Sequence, residues 1–93
     1  KLIIVSIPDY GYTPFGQNRN PQNISAELDM YNSFAENYAS ENNLSYVYIT
    51  DITREGLEDP SLVASDGLHP SEIAYSRFVE RLLPLALEKT KKL

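Results

Sequence analysis

Two stretches, Leu2-Ile3-Ile4-Val5 (continued by Ile7) and Leu44-Ser45-Tyr46-Val47-Tyr48-Ile49, decide the fold class of this chain. The first is a β-branched run without alternation, which suits a strand buried on both faces of a parallel sheet. The second is rich in the aromatic and β-branched types that strands favour. Between them Ile24, Leu28, Tyr31, Phe34, Ala35, Tyr38 and Ala39 recur at helical spacing. The spacing predicts a helix over 23–43, capped by Asn23, with the Tyr31, Phe34 and Tyr38 stripe in the core. After the second strand, Ile73, Tyr75, Phe78, Val79, Leu82, Leu83 and Ala86 share one face of a closing helix. Pro84 should kink or divide that helix, because its ring crowds the preceding turn and it lacks an N–H. Lys89, Lys91 and Lys92 would complement the negative end of its dipole. Strand–helix–strand–helix is the unit of a parallel α/β sheet with right-handed crossovers.

Two features reach beyond a self-contained unit. A two-stranded parallel sheet has little ladder and leaves apolar edges unpaired, so further strands are expected beside these, outside the sequence. Lys1, opening in the middle of an apolar run, fits that expectation of a cut beginning. The connections leaving both strands, 8–23 and 51–70, also exceed the roughly 12–15 residues of ordinary loops; only a helical turn near Pro60 is foreseen within the second. Ligands of open α/β sheets bind at that edge, so a site is expected there.

Composition narrows the chemistry. The chain has 93 residues, a net charge of −5, no cysteine and one histidine. One domain fits that length. The negative charge disfavours a nucleic-acid backbone as partner. Disulfides, thiolate metal sites, cysteine nucleophiles and multi-histidine metal sites are excluded. No apolar run approaches the roughly 20 residues needed to span a bilayer.

Asp66-Gly67-Leu68-His69-Pro70-Ser71 is the stretch with the most chemical content. Gly67 permits a tight turn, Pro70 can open the last helix at its first position, and Ser71 falls in its first turn. An acid three residues before a histidine can curl back to the imidazole, fix its tautomer and stabilise the imidazolium. That is the acid–base half of a nucleophilic triad, without the nucleophile. On spacing alone, the same residues also describe a surface-loop histidine before a helix start, or a metal site of Asp51, Asp66 and His69 lacking a second histidine.

Asp66-Gly67-Leu68-His69-Pro70-Ser71, preceded by Asp59-Pro60-Ser61-Leu62-Val63-Ala64-Ser65 and followed by a helix, resembles the last block of the SGNH (GDSL-type) hydrolases. Ser6 to Gly16 after a buried strand looks like the segment some members carry before that block, and Tyr48 to Arg54 is similar to their last strand and turn. The resemblance implies a three-layer, flavodoxin-like parallel-sheet fold, of which residues 1–93 are the C-terminal part of one domain. It implies a serine ester hydrolase (esterase, lipase or acylhydrolase) acting on lipid, acetylated-sugar or small acyl esters without a cofactor. His69 would be the general base and then general acid, and Asp66 would orient it. The family's Gly-Asp-Ser serine, oxyanion glycine and Gly-x-Asn-Asp asparagine have no counterpart here; they would come from a missing N-terminal half. Ser6, Ser65 and Ser71 do not replace the serine, since none follows a strand in a glycine-flanked turn. The isolated chain is then expected to be inactive and to self-associate.

Tyr10, Tyr12 and Phe15 are candidate substrate-binding residues at the sheet edge, or anchors that pin a long loop. Asp9 and Asp51 read as loop- and turn-bonding acids. Glu55, Glu58 and Asp59 read as a solvated loop face. The competing functional reading is a non-catalytic α/β module that self-associates or binds a partner through its strand edges.

Overall fold

The computed structural model describes residues 2–91, with side chains through Glu88, so Lys89, Lys91 and Lys92 and their role at the helix end lie outside the described side chains. The chain is a mixed α/β unit built on two short parallel strands, β1 (Ile3–Val5) and β2 (Ser45–Val47). Ile3 faces Ser45, Ile4 faces Tyr46 and Val5 faces Val47, and Ser6 N–H extends the ladder to the Val47 carbonyl at 2.9 Å. Parallel strands need a crossover, and the 21-residue α2 (Pro21–Glu41) supplies it.

The helix starts earlier than its apolar spacing suggests. Asn20, in the left-handed region at φ 57°, is the cap, Pro21 takes the first turn, and Asn23 N–H donates to the Asn20 side chain. At the other end Asn43, at φ 56°, turns the chain toward β2. The 8–23 connection is not structureless: a 3₁₀ turn at Tyr10–Tyr12 and a four-residue helix, α1 (Pro14–Gln17), fill it. After β2 come α3 (Thr50–Thr53), the expected helical turn at Pro60–Leu62, and α4 (Glu72–Lys91).

The core gathers Val47, Ile49, Ile52, Leu62, Ala74 and Phe78, with Ile3, Leu82 and Leu85 packed against it. α2 adds Ile24, Leu28 and Ala39 on its buried arc. That arc corrects the expected core: Tyr31 is 64% and Phe34 73% exposed, and Tyr38 also faces outward. They sit on the neighbouring arc of the helix, and the inward position at this level goes to Asn32. Asn32 accepts from Ile7 N–H at 3.0 Å and donates to Thr50 Oγ1 at 3.0 Å, so a polar residue is buried with its bonds made.

α4 is corrected in the same way. Ala74 and Phe78 are buried and Leu82 and Leu85 pack beside them, whereas Ile73, Tyr75, Val79 and Leu83 are exposed. The helix runs through Pro84 undivided. The 2–7 stretch is also less covered than a doubly buried strand: Leu2, Val5 and Ile7 are exposed. Among the described residues no helix is long and apolar enough to cross a membrane.

Candidate active site

His69 is carried on a closed loop rather than on the helix. Val63 and Pro70 form an antiparallel bridge, Ala64 N–H donates to the His69 carbonyl at 2.8 Å, and Ser71 N–H donates to the Leu62 carbonyl at 2.9 Å. Pro70 therefore sits in this bridge and not at the first helical position; Ser71 precedes the helix, and its Oγ accepts from Ala74 N–H at 3.3 Å. Inside the loop Gly67, at φ 71°, makes the turn, and its N–H donates to the Ala64 carbonyl at 3.0 Å. A positive φ of that size favours glycine over any residue with a Cβ.

The turn brings the carboxylate back to the histidine. Asp66 Oδ1 accepts from the backbone N–H groups of Leu68 at 2.9 Å and His69 at 3.0 Å. Asp66 Oδ2 contacts His69 Nδ1 directly. Three donors on one carboxylate favour its charged form. The His69 N–H, then the ring contact and the Leu68 N–H, hold Asp66 down to about 2, from 3.8. With Nδ1 engaged as donor, Nε2 is left as the proton acceptor. Among the described residues no protein group bonds Nε2, and the His69 side chain is 68% exposed.

His69 borders an open cleft of about 530 Å³ that is lined also by Pro8, Tyr10, Phe15, Leu68, Pro70 and Tyr75. Pro8 follows the end of β1, so the cleft lies at the C-terminal edge of the strands. Phe15 N–H donates to the Gly67 carbonyl at 3.0 Å, tying α1 to the histidine loop. Of the three aromatic candidates, Tyr10 and Phe15 join His69 here. Tyr12 does not: it lines a separate cleft of about 530 Å³ with Gln17, Ser25 and Asp29. Three polar side chains of that second cleft have partners within the chain. Gln17 donates to the Gly11 carbonyl, Ser25 to Asp9, and Asp29 accepts from Arg54.

Ser6, Asp9 and Asp51 have structural partners instead. The Ser6 Oγ is buried and accepts from Ile49 N–H at 2.7 Å and Thr50 N–H at 3.1 Å, capping the entry to α3 from across the sheet. Asp9 is buried and accepts from Gly11 N–H at 2.9 Å, Ser25 Oγ at 2.6 Å and Arg54 Nε at 3.0 Å. Asp51 takes both ends of Arg81, at 2.6 and 3.0 Å, and does not join Asp66 and His69 in a ligand set. Glu58 and Asp59 of the acidic loop face are exposed, as expected of a solvated face. Within it Glu55 is bidentate to Arg77 at 3.0 and 2.9 Å, and Asp59 caps the Pro60 turn through Ser61.

Sequence reasoning missed Asn32, Arg54, Leu68 and Tyr75. Asn32 left one trace, an amide standing in the Ile24, Leu28, Ala35, Ala39 series. Arg54, 45 residues from Asp9, left none. Comparison with protein-family models, curated proteins and solved structures finds no match to this chain.

Proposed function

We propose that this chain supplies the Asp–His half of a serine ester hydrolase of the SGNH type, as the C-terminal part of a flavodoxin-like domain. One observation carries the reading. Asp66 holds His69 by Nδ1, which leaves Nε2 without a bond among the described residues, and His69 lines a cleft at the strand C-terminal edge. The resemblance of Asp66-Gly67-Leu68-His69-Pro70 to the last block of that family supports it.

In this reading Nε2 takes the hydroxyl proton of a serine as that oxygen bonds to the ester carbonyl carbon. Asp66 stabilises the imidazolium that results. His69 then gives the proton to the departing alkoxide, which leaves as the alcohol, and an acyl-serine remains. Water, deprotonated by the same nitrogen, releases the acid. The serine and oxyanion donors come from residues outside this chain, and no cofactor enters.

The test begins with the coding sequence upstream of Lys1, where a Gly-Asp-Ser motif followed by Gly-x-Asn-Asp is expected. Hydrolysis of 4-nitrophenyl acetate should be absent from the 93-residue chain alone and present when the upstream segment is joined to it. In the active protein His69→Ala should remove nearly all turnover, and Asp66→Asn should lower it by up to about 10⁴-fold, as in the serine-protease triad. Full activity in His69→Ala would overturn the assignment.

The exposed Tyr31, Phe34 and Tyr38 face of α2 favours a second reading, a non-catalytic module that self-associates. Sedimentation separates the two. Under the hydrolase reading, association of the isolated chain disappears once the upstream segment is present; under the module reading it persists.

A further inference from the structure

We infer that the cleft beside His69 is an alcohol-side subsite, built for a neutral apolar or aromatic leaving group rather than a polyol. The inference rests on the hydrolase reading and specifies its substrate class. The chemistry fixes which half of an ester lies there. The group that protonates the leaving oxygen must stand within hydrogen-bond reach of it, so the substituent on that oxygen extends away from Nε2. Nε2 is the free nitrogen of His69, and the cleft that His69 borders is walled by Tyr10, Phe15, Leu68, Pro70 and Tyr75. Its volume of about 530 Å³ is the size of a small-molecule site.

The walls are braced from outside the cleft. Tyr75 makes an edge-on contact with the core residue Phe78, with centroids 5.4 Å apart. The Arg19 guanidinium stacks on the Phe15 ring at 4.7 Å. Tyr10 sits in a 3₁₀ turn whose carbonyl accepts from Thr13 Oγ1 at 2.6 Å. No lining residue is an acid, a lysine or an arginine, and none carries an amide or carboxylate of the kind that pairs with sugar hydroxyls. A polyol placed there would find only the Tyr10 and Tyr75 hydroxyls and His69 to replace its many water bonds, whereas an aryl or alkyl group would lose only unfavourable hydration. The cleft around Tyr12 holds more polar side chains, Gln17, Gln22, Ser25 and Asp29, but His69 does not border it.

The experiment holds the acyl group constant and varies the alcohol. In the active protein, benzyl and hexyl acetate should be hydrolysed with kcat/KM at least about tenfold above acetylated xylose or glucose. Phe15→Ala and Tyr75→Ala should each lower kcat/KM more for benzyl acetate than for ethyl acetate, mainly through KM. A binding readout is independent of turnover. Benzyl alcohol should shift the Leu68 methyl, Tyr75 ring and His69 Hε1 resonances saturably, and xylose should not. Saturable shifts without hydrolysis of any ester would support the apolar subsite while removing the hydrolase reading. Hydrolysis with acetylated sugars equal to or better than benzyl acetate would overturn the subsite and leave the hydrolase standing. The subsite also falls if benzyl alcohol moves none of the three resonances.

Discussion

Replacing Asp9 with alanine should destabilise the chain by about 3 kcal/mol, and the structure shows why the number is neither 1 nor 9. The Asp9 carboxylate has no exposed surface and accepts three bonds, from Gly11 N–H, Ser25 Oγ and Arg54 Nε. At roughly 1.5–3 kcal/mol for each bond to a charged group, the gross sum is about 5–9 kcal/mol. That sum overstates the loss, because removing the carboxylate also removes the cost of burying its charge. Breaking a buried ion pair costs about 3–5 kcal/mol. Arg54 is a quarter exposed and keeps Asp29 at 2.6 Å, so the stranded cation is partly resolvated and the low end applies. For a 93-residue chain the total stability is on the order of 5–14 kcal/mol, so the loss is a large share of it. Urea unfolding followed by far-UV circular dichroism should show a lower midpoint at unchanged slope, and the melting temperature should fall by about 12–24 °C. Asp29→Ala is the control. Its carboxylate is 57% exposed, and it should cost less than about 1 kcal/mol. An Asp9→Ala protein within about 0.5 kcal/mol of the parent would refute the reasoning, since surface substitutions do no more than that.

Three further outcomes are expected. Asp66 is held at about 2 in the folded chain against 3.8 ordinarily, a depressed value, so its stabilising contribution is complete above 3.8 and is lost as pH falls through 2. A carbon-detected NMR titration of the Asp66 carboxyl checks this, and a midpoint at or above 3.8 would contradict the three-donor geometry. Gly67→Ala meets only Pro14, at 3.6 and 3.8 Å, so its cost of about 1–2 kcal/mol comes from the left-handed backbone alone. Gly16→Ala would place its Cβ 1.8 Å from the Tyr10 carbonyl oxygen, and it should cost more than Gly67→Ala in the same denaturation assay.

What could be read from the chain depended on how local the determining contacts are. The parallel pairing of 3–5 with 45–47 follows from residue types and a helix-length gap, and it is found in register. The helix faces were misjudged because periodicity gives an arc but not its centre. On α2 a polar residue, Asn32, takes the inward position while Tyr31, Phe34 and Tyr38 turn outward. Only the chain ends of β1 and α3 explain that choice, since Asn32 answers Ile7 N–H and Thr50 Oγ1, 25 and 18 residues away. Arg54 was overlooked for the same reason: its partners Asp9 and Asp29 are distant in sequence. The Glu55–Arg77 pair on the solvated acidic loop was missed likewise, since Arg77 lies 22 residues on.

The Asp66–His69 pair was legible because four residues and one turn contain it entirely. A glycine at positive φ, two backbone N–H groups on one carboxylate oxygen and a ring nitrogen on the other make the pair without any contact from the sheet. Such a turn forms wherever the Val63–Pro70 bridge closes its base, so its geometry says little about what lies opposite Nε2. The opposite wall is set by the 9–15 segment, which depends on distant contacts: the Asp9–Arg54 pair, Asp9 N–H donating to Thr53 Oγ1 at 2.8 Å, and Phe15 N–H on the Gly67 carbonyl. Loosening the Asp9 cluster should therefore leave the Asp66–His69 contact intact while releasing Tyr10 and Phe15 from beside it. The acid–base pair and the cleft wall opposite it are therefore separable parts of the chain: the first is local to one turn, and the second is held by the contacts of Asp9 with Arg54 and Thr53 and of Phe15 with Gly67.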